Sequence, residues 1–108
     1  MLINGKQIKV GDGATIVYYS DRKPATIIEI GKNYIKVQED KATRIDDYSI
    51  LSSYGIRDVQ DYKIERDPNG KIHTFKRTRK NRNVFTNNGK YYDWGTKLIF
   101  GGKINYYN

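Results

Sequence analysis

The chain has no cysteine, one histidine (His73), one tryptophan (Trp94), two prolines and only three leucines among its 108 residues. Without cysteine there is neither a disulfide framework nor a thiolate metal site. With one histidine, nucleophilic triads have a single possible base, and a zinc site would need carboxylates, none of which stands at helical or hairpin ligand spacing from His73. Phosphate loops of the Gly-rich kind open a helix, whereas Gly11-Asp12-Gly13 leads into strand-forming residues. No apolar run approaches the ~18 residues that a membrane span needs. Met1-Leu2-Ile3 meets a polar residue at Asn4, too early for the apolar core of a signal peptide. These absences predict a cytoplasmic protein with no membrane partner, cofactor, metal site or catalytic set. A metal-free ribonuclease built on His73, Arg77, Glu65 and a tyrosine is the enzymatic reading left open.

What is abundant is positive charge. Lys and Arg number 20 against 12 Asp and Glu, a formal charge of +8. Leu, Ile, Val and Phe together make 25 residues, above the ~20% of a chain below which high charge argues for disorder, so a folded single domain over 1–108 is expected. The charge is uneven. Residues 1–54 hold eight Lys and Arg against seven Asp and Glu, while residues 55–108 hold twelve against five. Five of those twelve, Lys76, Arg77, Arg79, Lys80 and Arg82, fall within seven positions. Such a cluster is either a footprint for an acidic partner or a solvated edge strand whose charges block strand-to-strand aggregation.

The apolar residues are of β type, with Ile outnumbering Leu fourteen to three and Tyr present ten times. Short runs recur between turn signals. Residues 14–20 precede a turn at Asp21-Arg22-Lys23-Pro24, 25–30 form the next strand, and 33–39 alternate with Ile35 and Val37 on one face. A turn at Asp40-Lys41 leads to a strand over 42–46, giving an antiparallel meander. Residues 47–60, with Ser52-Ser53 and Gly55, read as an irregular connection. Asp67-Pro68-Asn69-Gly70 predicts a hairpin between 61–66 and 71–79, Asn88-Gly89 another, and Gly101-Gly102 a third that would pair Ile99 with Ile104. The expected architecture is all-β and antiparallel, a small barrel or sandwich.

Alternation along 71–79 places Lys71, His73, Phe75, Arg77 and Arg79 on one face. An aromatic among cations can stack a base and grip a phosphate; alternatively Phe75 enters the core, and His73 is a satisfied structural residue. The pairs Tyr18-Tyr19, Tyr91-Tyr92 and Tyr106-Tyr107 must each turn one member outward if they lie in strands. With Trp94, and with Tyr54 and Arg57 from the irregular connection, Tyr91, Tyr92, Tyr106 and Tyr107 form a candidate aromatic contact surface. Tyrosine is also simply a good solvent-facing strand former.

Val10-Gly11-Asp12-Gly13-Ala14-Thr15, Tyr19 to Glu29, and Val37-Gln38-Glu39-Asp40 with Ala42, Arg44 and Asp46 resemble a family of small proteins encoded by phages and prophages of Gram-positive bacteria. Asn69 to Phe75, Gly95-Thr96-Lys97-Leu98, Gly101 and Tyr106-Tyr107 are similar to the same family. The Gly-Asp-Gly entry into a strand, a Pro-containing loop and a polar turn also resemble Tudor-like or Src-homology-like barrels. The first resemblance implies a non-enzymatic phage protein in the cytoplasm of the infected host. Taken with the small size, the lack of catalytic groups and the aromatic and basic surface, it suggests a stoichiometric inhibitor of a host defence system, of anti-CRISPR or anti-restriction type. The partner would be the effector protein or nucleoprotein complex, met through Lys76, Arg77, Arg79, Lys80, Arg82 and His73. The alternative is an RNA- or DNA-binding accessory protein of phage replication, packaging or transcription. A DNA mimic is excluded by the sign of the charge.

Overall fold

The computed structural model describes residues 1–44, 62–90 and 96–104. Ten strands occur among them: β1 (Leu2–Ile3), β2 (Lys6–Gln7), β3 (Gly13–Val17), β4 (Arg22–Ile30), β5 (Tyr34–Glu39), β6 (Lys41–Arg44), β7 (Tyr62–Glu65), β8 (Ile72–Arg77), β9 (Phe85–Thr86) and β10 (Lys97–Phe100). Six of these close into an antiparallel barrel in the order β10-β3-β4-β5-β8-β9. The all-β expectation therefore holds, and of its two forms the barrel is the one adopted.

The alternation anticipated in 33–39 is what fills the barrel. Ile35 and Val37 of β5 stand opposite Phe75 and His73 of β8, and Val37 also stands opposite Ile27 of β4. Ile27, Ile35, Val37 and Phe75 form a core with Ile3, Ile8, Ala14, Ile16, Ala25, Phe85 and Leu98, in which Phe75 and Phe85 are at most 1% exposed. Each buried ring contributes about 1.5–3 kcal/mol over leaving it in water. A bulge at Ile27–Glu29 shifts the β4–β5 register by one residue. It adds the local twist that a narrow closed sheet requires. Asn4 and Gly5 both have positive φ, 51° and 77°, the conformation of the tight turn that closes the β1–β2 hairpin.

Several predicted connections differ. The chain reverses at Tyr18–Asp21, where Tyr18 N–H donates to the Asp21 carbonyl, so β4 starts at Arg22 and includes Pro24. Pro24 is tolerated because its β5 side lies where that ladder ends, beside Asp40. Asp40-Lys41 is not a hairpin turn: β6 leaves the barrel and pairs with β7. The Asp67–Gly70 turn forms, with Gly70 N–H donating to the Asp67 carbonyl, but the strands it joins do not pair with each other. β5 already holds β8 through five register pairs. Gly101-Gly102 does not close a hairpin either. β3 pairs with β10 along its whole length and β9 takes Lys97 and Leu98 on the other edge, while the chain after Phe100 is drawn across the outside of β3, leaving Ile99 and Ile104 exposed. There Thr15 Oγ1 donates to the Gly102 carbonyl and accepts from Ile104 N–H.

Gly70 has a second duty. Gln38 Nε2 donates to the carbonyls of Pro68 and Gly70, drawing this turn against β5. A Cβ at Gly70 would lie 2.0 Å from the Glu39 carbonyl oxygen. Because that obstacle is backbone, Gly70→Ala should cost about 1–3 kcal/mol. A drop in Tm of several degrees, with the β-type circular dichroism retained, is the expected result. An unchanged Tm would show that the turn does not seat the glycine this closely.

Candidate functional site

The predicted basic cluster lies at the end of β8 and in the loop to β9. Lys76 and Arg77 are paired on both sides, to β5 or its flank and to β9, so edge protection does not explain their charge. The face expected to carry cations beside an aromatic is the barrel interior. Phe75 is buried, and the Arg77 guanidinium turns inward, 5.2 Å from the Phe85 ring centroid. Arg77 Nε is buried and finds no hydrogen-bond partner among the described residues. His73, half-buried, faces Glu39. Of the residues predicted for the contact surface, Arg77 and His73 are thus partly buried against the protein's own groups, whereas Lys76, Arg79, Lys80 and Arg82 are exposed.

Fully buried Thr78 organises the loop from within. Its Oγ1 donates to the Asn81 carbonyl at 2.5 Å, and its N–H donates to the Val84 carbonyl. Val84 N–H donates to the Asn81 carbonyl, and Asn83 N–H to Asn81 Oδ1. Two other connections are tied to this loop. Arg77 N–H donates to the Asn33 carbonyl and Arg82 Nη2 to Asn33 Oδ1 at 2.8 Å, joining the β4–β5 turn. Asn4 N–H donates to Asn83 Oδ1 at 3.1 Å, joining the β1–β2 turn.

One end of the barrel therefore gathers residues 4–6, 31–33 and 78–84, which carry Lys6, Lys32, Arg79, Lys80 and Arg82 and no Asp or Glu. All five cationic residues are exposed. Glu29, on the outer surface of β4 toward this end, accepts a 2.6 Å hydrogen bond from the Tyr34 hydroxyl and lies 3.8 Å from Lys36 Nζ.

The far end of β5, roughly 17 Å away at the usual rise per residue, has the opposite character. Glu39 lies between Lys23 Nζ, at 3.3 Å, and His73 Nε2, at 2.5 Å. The neighbouring Asp40 carboxylate, with no exposed side-chain surface, is held by Lys103 Nζ and by the Thr26 hydroxyl, with Arg66 at 3.9 Å. Lys103 Nζ also donates to Thr26 Oγ1, and Arg66 Nη2 to Gln38 Oε1. Charge here is compensated and partly buried.

Burial pushes the Glu39 carboxyl up, but the His73 hydrogen bond and the Lys23 ammonium together hold it below the ordinary glutamate range. A depressed carboxyl stabilises the fold above its unfolded pKa and loses that contribution as pH falls through the folded value. The wild-type protein should thus lose stability below about pH 4.5, and Glu39→Gln should flatten that part of the profile. Urea midpoints between pH 3 and 7 test this; parallel profiles for the two proteins would contradict it.

The aromatic half of the predicted surface, Tyr54, Arg57, Tyr91, Tyr92, Trp94, Tyr106 and Tyr107, lies outside the described residues, as does the irregular connection 47–60. Of the remaining tyrosine pair, Tyr18 packs against the core and Tyr19 is 87% exposed. Sequence reasoning missed Lys6 and Lys32 as companions of the basic loop, and Asn4, Asn33 and Asn83 as the groups that join the turns. The Asn4-Gly5 dipeptide was a legible hairpin signal; that its turn would meet residue 83 was not. Comparison with protein-family models, curated proteins and solved structures finds no match, so the site is read from the chain's own residues.

Proposed function

We propose that this protein is a non-enzymatic binder of nucleic-acid backbones that acts through the cationic end of its barrel. The observation supporting this reading is the convergence of three connections bearing five exposed cations without a carboxylate. Because internal hydrogen bonds already fix the backbone of the turns that carry these cations, binding need not order that backbone, and more of each phosphate contact appears as affinity. In the phage setting implied by the sequence resemblance, the bound strand would be the guide RNA or target DNA of a host defence complex, which the protein would occupy stoichiometrically. An accessory role on the phage's own nucleic acid would use the same surface.

Fluorescence anisotropy with random-sequence RNA, single-stranded DNA and duplex DNA tests the reading. Binding should be tight at ~50 mM salt and fall steeply by ~200 mM, with a log–log slope near −0.9 per duplex phosphate contact, or about −4 to −5 if all five cations engage. Absence of binding at low salt would refute the proposal, and cleavage of the probes would refute its non-enzymatic part. Nucleic acid recovered with the tagged protein from a host lysate would distinguish the defence setting, by its guide or target sequence, from the accessory one.

A further inference from the structure

Beside the cationic end, where the β1–β2 hairpin meets β10 and the end of the β8–β9 loop, lies a pocket of about 360 Å³. This is at the small end of the roughly 300–1,000 Å³ typical of small-molecule sites. Its apolar wall includes Val84 and Phe100, and its polar wall is formed by Asn4, Asn83, Lys6 and Lys97. Among the described residues, no carboxylate lines it. The Phe100 ring is braced edge-to-face by buried Phe85, with centroids 5.8 Å apart. Asn83 uses its Oδ1 on the Asn4 N–H, which leaves its amino group as a donor. The Asn4 side-chain amide, with one acceptor and two donor hydrogens, has no hydrogen bond among the described residues.

A flat apolar group bordered by hydrogen-bonding edges and joined to an anion matches these walls. Asparagine amides supply donor and acceptor together, as the edge of a nucleobase demands, and the two ammonium groups suit a phosphate beside it. The position matters as much as the chemistry: Asn4, Lys6 and Asn83 belong to the same turns that carry the cations. A strand whose phosphates follow those turns would pass the mouth of the pocket. A base within a duplex is stacked and paired and cannot enter.

We infer that the pocket receives one unstacked nucleobase, making the protein a reader of single strands rather than duplexes. This rests on the backbone-binding reading above and adds a base-specific component to it.

The test compares three probes by anisotropy: a single-stranded oligonucleotide, the same strand made abasic throughout, and a duplex. The base-bearing strand should bind about tenfold tighter than the abasic one. Val84→Trp, which fills the pocket, should reduce its binding to the abasic level and leave the abasic strand unaffected. Asn4→Gly removes the amide at a backbone position of φ 51°, where glycine is at ease. It should weaken only the base-bearing strand, and it keeps the inference testable if the tryptophan variant fails to fold. Equal binding of base-bearing and abasic strands would overturn the pocket while upholding the backbone reading. Failure of every probe to bind at low salt would overturn the backbone reading itself. A free mononucleotide bound as tightly as the strand would assign the pocket to nucleotides in solution and overturn the single-strand inference.

Discussion

Replacing Lys32, Arg79 and Arg82 together with alanine should weaken binding to any nucleic acid by tens- to hundreds-fold at ~0.1 M salt and flatten the salt slope by about 2.7 for a duplex. The three residues come from two different connections, so a concerted loss tests whether the barrel end acts as one surface. Lys36→Ala serves as the control. That lysine faces Glu29 on the outer surface and should change affinity less than twofold. Arg77→Ala makes the sharper contrast. It belongs to the same sequence cluster, yet its guanidinium lies over Phe85 inside the barrel end, so its removal should lower Tm without changing the salt slope. Arg82 also donates to Asn33, and the thermal stability of the triple variant should be measured alongside. If Arg77→Ala flattens the slope as much as Arg79→Ala does, the division between structural and recognition cations is wrong.

The largest stability effect is expected from Lys103→Met. The Asp40 carboxylate is wholly buried, and among the described residues Lys103 supplies its one close ammonium. Arg66, the other cation near it, is 3.9 Å away with its side chain half in water. Removing the lysine leaves a carboxylate held, among the described residues, by the Thr26 hydroxyl alone at hydrogen-bond distance. Stranding one member of a buried pair in this way costs about 3–5 kcal/mol. Methionine keeps an unbranched stem over Gly13, where a Cβ would meet Lys103 Cγ at 3.0 Å, so the loss reports charge rather than packing. The double variant Asp40→Leu, Lys103→Met should recover most of the lost stability, because the desolvation penalty goes with the pair. Denaturant titrations of the wild type, both single variants and the double variant give the coupling. Additive losses would mean that the two charges do not act as a pair.

Much of the barrel was legible locally. The alternation in 33–39 separates Ile35 and Val37 from Lys36, and the β-type composition excluded a helical core. Phe75 on a strand among cations left two readings, and burial decided between them. Partner choice was not legible. The Asp67–Gly70 signal reports only that the chain turns; whether its flanks pair depends on β5 and β6, whose competing ladders are set far away in the chain. The same holds for Ile99 and Ile104, well matched across a two-residue loop yet not paired as a hairpin, because Thr15 of β3 draws residues 102 and 104 to itself. The cationic end fails the local test for the same reason. Lys6, Lys32 and Arg79 lie tens of residues apart, and they meet through asparagine hydrogen bonds that no spacing rule reveals.

The pairing of β10 with β3 also bears on how the chain reaches its native state. Leu98 stands opposite Ile16, about eighty residues earlier, and Thr15 is held by residues 102 and 104. During synthesis the meander of β3, β4 and β5 can assemble early, but its β3 edge stays open until the ribosome has delivered residue 100 and beyond. Ladders between such distant segments form slowly, because the chain loses entropy before the contacts compensate. Over that interval the nascent chain carries an exposed strand edge bearing Ile16 on a segment whose charge is nearly balanced, eight Lys and Arg against seven Asp and Glu over residues 1–54, so charge repulsion does little to keep other chains away from it.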